Sequence, residues 1–201
     1  MKSIILLGLS LGVTIAFTIW ISTGLRSQRW LIKVVCWTFF GRLLCILVGT
    51  YLTINKFGGP EMMFTDIPRL AEFGKTMSNM GVFSLMNFAS KADPGIWFLY
   101  GASFKFFGAN LINVQFILLA FSVMSVALIY PFALRVFRDE KIARWSVILL
   151  AICPSFVTWL ITPHKDLIVT FLLIAMFHNF AVFFDERKPV RILYFLLLWF
   201  V

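Results

Sequence analysis

The sequence predicts an all-α protein, a polytopic transmembrane helix bundle with an external loop that carries an interfacial helix. Hydrophobic residues make up 61% of its 201 residues and charged residues only 13%, whereas about a quarter of a soluble domain is charged. Several apolar blocks reach the roughly 18 to 20 residues that a helix needs to cross about 30 Å of hydrocarbon. One polar loop, residues 55–95, interrupts these blocks. It contains four of the nine acidic residues of the chain, namely Glu61, Asp66, Glu72 and Asp93.

The apolar blocks predict a single transmembrane domain over residues 1–201. The first block is too long for the apolar core of a signal peptide and lacks a clear small-x-small cleavage site, so it is interpreted as a span. The predicted spans are about 3–21, 34–54, 111–132, 145–161 and 167–184. A last apolar run, 192–201, covers only about 15 Å as a helix, half of a bilayer. We therefore expect the chain to be a fragment of a longer protein; the alternative is that a neighbouring subunit completes the layer.

Two shorter segments are predicted not to cross the membrane. In the polar loop, apolar residues recur at steps of three and four between Ile67 and Met80, which predicts a short helix lying along the membrane surface. The apolar stretch 96–107 would extend only about 18 Å as a helix. We expect it to be interfacial or re-entrant, which leaves residues 55–95 as an outer loop.

The net charge of +9 does not indicate nucleic-acid binding, because the basic residues lie in short loops between apolar blocks and not on a folded polar surface. The loops that contain Arg26, Arg138 and Arg187 are each net positive, so we expect them to face the cytoplasm. Alternation of the spans then places the polar loop and the link between the fourth and fifth spans on the outer side. The cysteines lie inside apolar blocks without metal-type spacing and are expected to pack as small hydrophobic residues; they are Cys36, Cys45 and Cys153.

Asp66 is the candidate catalytic residue. It lies in FTDIPRL, directly before the predicted surface helix. Pro68 favours the first helical position, which would make Ile67 the N-cap and place Asp66 just outside the helix. A carboxylate at this water boundary could act as a general base. The alternative is a helix cap or a solvated turn.

Asp93 and Arg69 are further candidate substrate-binding residues of the polar loop. Asp93 precedes Pro94 and Gly95, which is typical of a turn in which Asp accepts a hydrogen bond from its own backbone. Arg69 lies on the polar face of the predicted surface helix. A structural role in the turn is the favoured interpretation of Asp93.

A polar link, TPHKD, joins the fourth and fifth spans. Its Thr-Pro start explains why a helix begins here, but it does not explain Lys165, because basic residues are less frequent on the outer side. Lys165 and Asp66 would lie on the same side, and this combination suits a phosphorylated lipid, since the cation neutralises phosphate. Lys165 and His164 are therefore candidate substrate-binding residues. The alternative is a structural ion pair of Lys165 with Asp166 or Asp93.

Arg42 lies within the second predicted span. An arginine inside a membrane is costly, and it pairs, lines a cavity or extends its side chain to the interface. Because Arg42 lies about eight residues from the inner end of the span, it could reach the cytoplasmic interface. Pro131 and Pro154 lie inside later blocks and are expected to kink their helices, with neighbouring groups bonding the carbonyls that they leave free.

The order of these segments resembles the GT-C superfamily of membrane glycosyltransferases, which includes protein O-mannosyltransferase-like enzymes and bacterial lipid-linked sugar transferases. The resemblance covers residues 34–184. A span that contains arginine is followed by an outer loop with FTDIPRLAEFGKTM and then by DPGIWFLYGASFKFFG. A span ending in ALRVFRDEKIAR precedes one with AICPSFVTWL, and PHKDLIVTFLL opens the next helix. The order and spacing of these pieces carry the resemblance, since no single piece is specific.

The resemblance implies an enzyme that moves a sugar from a polyprenyl-phosphate-type carrier to an acceptor on the non-cytoplasmic face, within the lipid bilayer of a bacterial inner membrane. It implies that Asp66 acts as a base or metal-assisting group and that Lys165 binds the lipid phosphate. A requirement for a divalent metal and the participation of further membrane subunits stay open. The chain departs from the family pattern in three ways: Leu70 stands where an aromatic residue often follows the Asp, the first span is additional, and most members are longer.

Two other functions are alternatives. A transporter of lipid-linked saccharides would place polar residues near the bilayer midplane on broken helices. Here the polar residues gather at one face, apart from Arg42 and His178. A non-catalytic membrane subunit would suit the short chain.

Overall fold

The computed structural model describes residues 2–23, 28–57 and 94–186, together with Glu72 and Thr76. The described residues form helices and contain no strand. The helices are α1 (Lys2–Ser22), α2 (Gln28–Phe57), α3 (Pro94–Phe107), α4 (Leu111–Phe137), α5 (Glu140–Ile152), α6 (Pro154–Ile161) and α7 (Asp166–Glu186). Five segments of this described chain are long and apolar enough to cross a membrane, with α5 and α6 counted together. The predicted all-α transmembrane bundle is confirmed. The predicted surface helix falls on residues of which only Glu72 and Thr76 are described.

The central helix is α4, which contacts all six other described helices. In its spanning part 67% of the residues are buried, compared with 17% to 33% in the other four spans. A helix that is covered on all sides can keep polar side chains only where other protein groups bond them. The buried polar side chains of α4 are Asn113, Gln115, Ser122 and Ser125.

A stripe of small hydroxylated residues brings α1 against α4. The stripe is formed at four-residue steps by Ser10, Thr14, Thr18 and Ser22, all buried. Small side chains let two helices approach closely in a membrane. The Ser10 hydroxyl donates to the carbonyl of Phe116 on α4 over 3.0 Å. The other three hydroxyls donate to carbonyls one turn earlier in α1, so the stripe is satisfied without a charged partner.

Contacts of α2 with α4 establish the two ends of the bundle. The Trp30 ring lies 6.1 Å from the Tyr130 ring, whereas Gln115 Nε2 lies 3.3 Å from Thr50 Oγ1. Early residues of α2 therefore meet late residues of α4, and the two helices are antiparallel. The guanidinium of Arg144 lies 5.2 Å from the Trp30 ring centroid, which places the start of α5 at the same end as the start of α2.

We call this end the basic end. It contains the starts of α2 and α5 and the ends of α4 and α7, and Arg135 of α4 bonds Asp185 of α7 there over 3.0 Å. We call the opposite end the link end, because the link, residues 162–165, joins α6 to α7 there. The described basic residues of the basic end are Arg29, Lys33, Arg135, Arg138, Lys141 and Arg144.

Two helices continue beyond the predicted spans at the basic end. Arg29 and Lys33 lie within α2, and not in a loop as predicted, while α4 extends through Arg135 to Phe137. Arginine and lysine are good helix formers. Their long side chains carry the charge to the headgroup region while their stems cover apolar surface, so the helix does not need to stop where the apolar block stops.

The stretch predicted to be interfacial or re-entrant lies in α3, a helix of 14 residues. Its length of about 21 Å is too short to cross the hydrocarbon. Tyr100 and Phe104 pack into the core with α4. Gly108 follows α3 at a φ of 100°, a conformation that favours glycine, and Asn110 caps α4 by accepting from the N–H of Ile112 over 3.0 Å. The corner between α3 and α4 is therefore locally determined.

Candidate functional site

The link is held from inside the bundle by two uncharged side chains. Gln115 Nε2 donates to the carbonyl of Ile161, directly before the link, over 2.8 Å. The Tyr100 hydroxyl donates to the carbonyl of Pro163 over 3.0 Å. Both donor residues are completely buried. Helices α3 and α4 therefore determine where the backbone of the link lies.

Thr162 of the link is buried, whereas His164 of the link and Asp166, the first residue of α7, are partly exposed at the link end. His164 Nδ1 lies 3.1 Å from Asp166 Oδ2, and 46% and 39% of the two side chains are exposed. The His164 ring stacks on Trp159 of α6, with 6.4 Å between the centroids and 25° between the planes. These two contacts orient the ring, so that Nδ1 donates to the carboxylate.

Lys165 directly precedes α7. Its carbonyl accepts from the N–H groups of Ile168 over 2.9 Å and Val169 over 3.1 Å, which gives Lys165 the N-cap position of the helix. The predicted helix start at the Thr-Pro pair of the link is wrong, because Thr162 ends α6. Asp166 occupies the first turn, where the helix dipole favours negative charge. An ammonium group and a helix N-terminus both attract anions, so Lys165 stays a candidate for binding a phosphate, next to the carboxylate of Asp166.

Of the five site residues predicted from the sequence, the structure describes two, His164 and Lys165, which are neighbours along the chain. Asp66, Arg69 and Asp93 lie outside the described residues. The segment that contains them leaves α2 at the link end. A site shared by Asp66 and Lys165 therefore stays a prediction.

Gln115 and Tyr100 were not among the predicted site residues. Gln115 carried a signal, because it and Asn113 are amides inside an apolar block, and a polar residue within a span usually bonds another part of the protein. Tyr100 carried none, because tyrosine is common wherever a membrane protein meets the interface. The positions of both side chains became apparent only with the fold.

One interpretation of the sequence placed the Arg42 side chain at the cytoplasmic interface. The structure shows that it does not extend there. The residue is only 2% exposed, and its guanidinium contacts α4 and the junction of α5 and α6. Backbone carbonyls at this depth give the cation partners that lipid cannot supply. Arg42 is therefore part of the bundle interior.

The described residues contain no group of three or more His, Cys, Asp or Glu side chains that could hold a metal ion. His164 and Asp166 are a pair, whereas a catalytic zinc takes three protein ligands. The cysteines are all free thiols in partly buried positions.

The link lies in a segment of the chain that matches a protein-family model. The model for dolichyl-phosphate-mannose-protein mannosyltransferases matches residues 91–201, more than half of the chain, whereas no curated protein and no solved structure matches it. The matched segment contains α3 to α7 and the link, and Asp66 and Arg69 precede it. The chain therefore belongs to the dolichyl-phosphate-mannose-protein mannosyltransferase family, within the GT-C superfamily of membrane glycosyltransferases.

Proposed function

We propose that the protein is a membrane glycosyltransferase that moves a sugar from a polyprenyl-phosphate-type carrier to an acceptor on the non-cytoplasmic face of a bacterial inner membrane. The observation that carries the proposal is the family match, which covers the link and every helix that packs around it from α3 onward. A lipid-linked donor reaches its enzyme from within the bilayer, and a bundle of five spans with a polar link at one end suits such a donor.

The charge distribution supports an orientation with the link end outside. Six described basic residues lie at the basic end, compared with four at the link end, Lys2, Lys56, Lys105 and Lys165, and basic residues concentrate on the cytoplasmic side of membrane proteins. The link end and the polar loop then face the opposite compartment. Donor phosphate, sugar and acceptor would meet there, at the boundary between lipid and water.

Lys165 is proposed to bind the phosphate of the donor. Its place at the N-terminus of α7 adds the dipole of the helix to the charge of the ammonium group. The buried donors Gln115 and Tyr100 fix the backbone on which Lys165 stands. His164, Asp93 and Arg69 are proposed to contribute further contacts to the substrates.

Asp66 is proposed to act as the general base. It would accept the proton of the acceptor hydroxyl while the hydroxyl oxygen bonds the anomeric carbon of the sugar. The bond between that carbon and the phosphate oxygen breaks, and the bonding electrons leave with the lipid phosphate. Lys165 would stabilise the charge that develops on this phosphate. General-base catalysis typically contributes about 10² to 10⁴ in rate.

The test is the Asp66→Asn variant in membranes supplied with a radiolabelled polyprenyl-phosphate sugar. We expect transfer to fall about 10²- to 10⁴-fold with normal accumulation in the membrane, because asparagine keeps the size of aspartate but cannot take the proton. Asp185→Asn is the matched control. It removes a carboxylate at the basic end, and because the pair is exposed, transfer should stay within about twofold.

Turnover close to normal in the Asp66→Asn protein would assign Asp66 to the turn before the predicted surface helix. A wild-type chain that accumulates in the membrane but transfers no sugar would instead favour a non-catalytic subunit. The two outcomes separate the role of Asp66 from the activity of the protein.

A further inference from the structure

Arg42 makes a forked set of hydrogen bonds in the middle of the bundle. Its Nη1 donates to the carbonyl of Ser122 over 2.9 Å and lies 2.7 Å from the Ser122 hydroxyl. Its Nη2 donates to the carbonyls of Leu150 over 2.7 Å and Ala151 over 3.2 Å. One side chain of α2 therefore bonds both α4 and the last turn of α5.

The carbonyls of Leu150 and Ala151 need these donors because the helix is interrupted. Pro154 lacks the N–H that would donate to Leu150 in a continuous helix. In place of the expected kink, α5 ends at Ile152 and Pro154 begins α6, whereas Pro131 lies inside α4, which continues past it. The Cys153 N–H makes only a long bond to Leu150, at 3.4 Å. Arg42 supplies the donors that the interrupted backbone lacks.

The same position suits the positive charge. The C-terminus of α5 carries the negative end of a helix dipole, and the Arg42 guanidinium lies 4.9 Å from the ring centroid of Phe156 in α6, within the range of a cation–π contact. Among the described residues, no carboxylate forms an ion pair with Arg42. Carbonyl dipoles and an aromatic ring compensate the buried charge.

Helix α6 is held against α2 at both of its ends. Arg42 contacts its start, and Gly49 contacts its end so closely that a Cβ at position 49 would lie 2.5 Å from Ile161 Cδ1. Seven residues of α2 separate these contacts, a rise of about 10 Å, and the eight residues of α6 rise about 12 Å. The link follows directly after Ile161, so whatever fixes α6 also fixes the link.

We propose that Arg42 is a positioning residue of the transferase. It replaces the backbone N–H groups missing at Pro154 and fixes the direction of α6. In this way it places His164 and Lys165 for binding of the lipid-linked sugar. The last part rests on the proposed function of the link. The first two parts concern the fold and can be measured without activity.

The first experiment is a double-mutant cycle between Arg42 and Pro154 on the full chain. Arg42→Met removes the two strong hydrogen bonds to the carbonyls at the α5–α6 junction and leaves only the long one from Cys153, so the apparent melting temperature in detergent should fall by roughly 5 to 10 °C. Pro154→Ala restores an N–H at position 154, so adding Arg42→Met in that background should cost less than about half as much. If Arg42→Met alone fails to accumulate, the double variant should accumulate. Equal losses in both backgrounds, or no rescue, would contradict the proposal.

The second experiment follows the link itself. In a chain with the three cysteines replaced by alanine, His164→Cys reports the exposure of the link by its rate of reaction with a membrane-impermeant maleimide. Arg42→Lys, which keeps the charge but not the fork, should change this rate several-fold. Arg144→Lys is the control, because Arg144 bonds Glu140 at the exposed basic end, and it should leave the rate unchanged. An unchanged rate in the Arg42→Lys protein would show that Arg42 does not position the link.

With activity as a third measurement, Arg42→Lys should raise the KM for the lipid-linked donor about tenfold, while kcat changes much less, because a displaced Lys165 weakens binding of the phosphate. An equal fall in kcat and kcat/KM would contradict the positioning role. Absence of transfer by the wild-type chain would count against the proposed function, and the melting and labelling results would still decide whether Arg42 fixes α6.

Discussion

The two ends of the bundle use charge in different ways. At the basic end, side chains bond each other: Arg135 pairs with Asp185, and Arg144 pairs with Glu140 at 2.7 Å. At the link end His164 also pairs with Asp166, but in addition two uncharged and completely buried side chains, Gln115 and Tyr100, donate hydrogen bonds to the backbone. The link end therefore has what the described ion pairs of the basic end do not provide, which is a charged segment whose backbone is placed by groups that lie beneath it.

This difference indicates which charges the fold depends on. Exposed ion pairs contribute little to stability, so the fold should depend little on the two ion pairs of the basic end. The backbone of the link is fixed by its contacts with α3 and α4. His164 and Lys165 are thereby presented at the surface in a defined place, which is what a binding site needs.

The strongest test of the comparison is the side of the membrane on which each end lies. In a chain without native cysteines, an impermeant maleimide applied to intact cells should label His164→Cys and should label Lys141→Cys only after permeabilisation. The expected difference is all or none, because the two ends lie on opposite sides of the hydrocarbon. Labelling of Lys141→Cys alone in intact cells would reverse the orientation and remove the outward-facing reaction.

The next test compares one lysine from each end. Lys165→Ala should raise the KM for the lipid-linked donor about tenfold or more, since a charge-assisted hydrogen bond is worth about 1.5 to 3 kcal/mol. Lys141→Ala, on an exposed residue of the basic end, should leave the KM within experimental error. Steady-state kinetics with varied donor concentration measure both values. Equal effects would mean that general surface charge, and not the link, attracts the donor.

The smallest effect concerns stability. Tyr100→Phe leaves the Pro163 carbonyl without its buried donor, which should lower the free energy of unfolding by about 1 to 2 kcal/mol. Arg135→Gln breaks a pair whose side chains are 30% and 40% exposed, and should cost less than about 1 kcal/mol. Thermal unfolding in detergent ranks the two variants. A larger loss for Arg135→Gln would show that the basic end also holds the bundle together.

The all-helical bundle could be predicted because lipid imposes a simple rule: an apolar block long enough to cross must satisfy its backbone as a helix. The limits of α2 and α4 could not, since Arg29, Lys33 and Arg135 continue a helix where hydropathy stops. His164 and Lys165 could be identified as candidates from the sequence, because a polar segment between two apolar blocks is conspicuous in a membrane protein.

The long-range hydrogen bonds that hold the link and α6 in place could not be predicted from the sequence. The bond from Gln115 to Ile161 joins residues 46 positions apart, and that from Arg42 to Leu150 joins residues 108 apart. Such contacts depend on which helices become neighbours and on their rotation, and neither follows from the periodicity of one block. Pro154 predicted carbonyls in need of donors, but only the packing of α2 identified Arg42 as the residue that bonds them.

The distance along the chain between Arg42 and its partners also has a consequence for biosynthesis. Ser122 and Leu150 lie 80 and 108 residues after Arg42 in the chain. Neither residue has been synthesised when α2 leaves the ribosome. At about 5 to 20 residues per second, the guanidinium waits roughly 5 to 20 seconds for the carbonyls that will accept its hydrogen bonds. Lipid tails solvate the guanidinium poorly, so during that time the Arg42 side chain should extend to water or headgroups at the interface, a position that it leaves when α4 and α5 arrive. Insertion of this protein is therefore expected to be completed as a group of helices and not one span at a time.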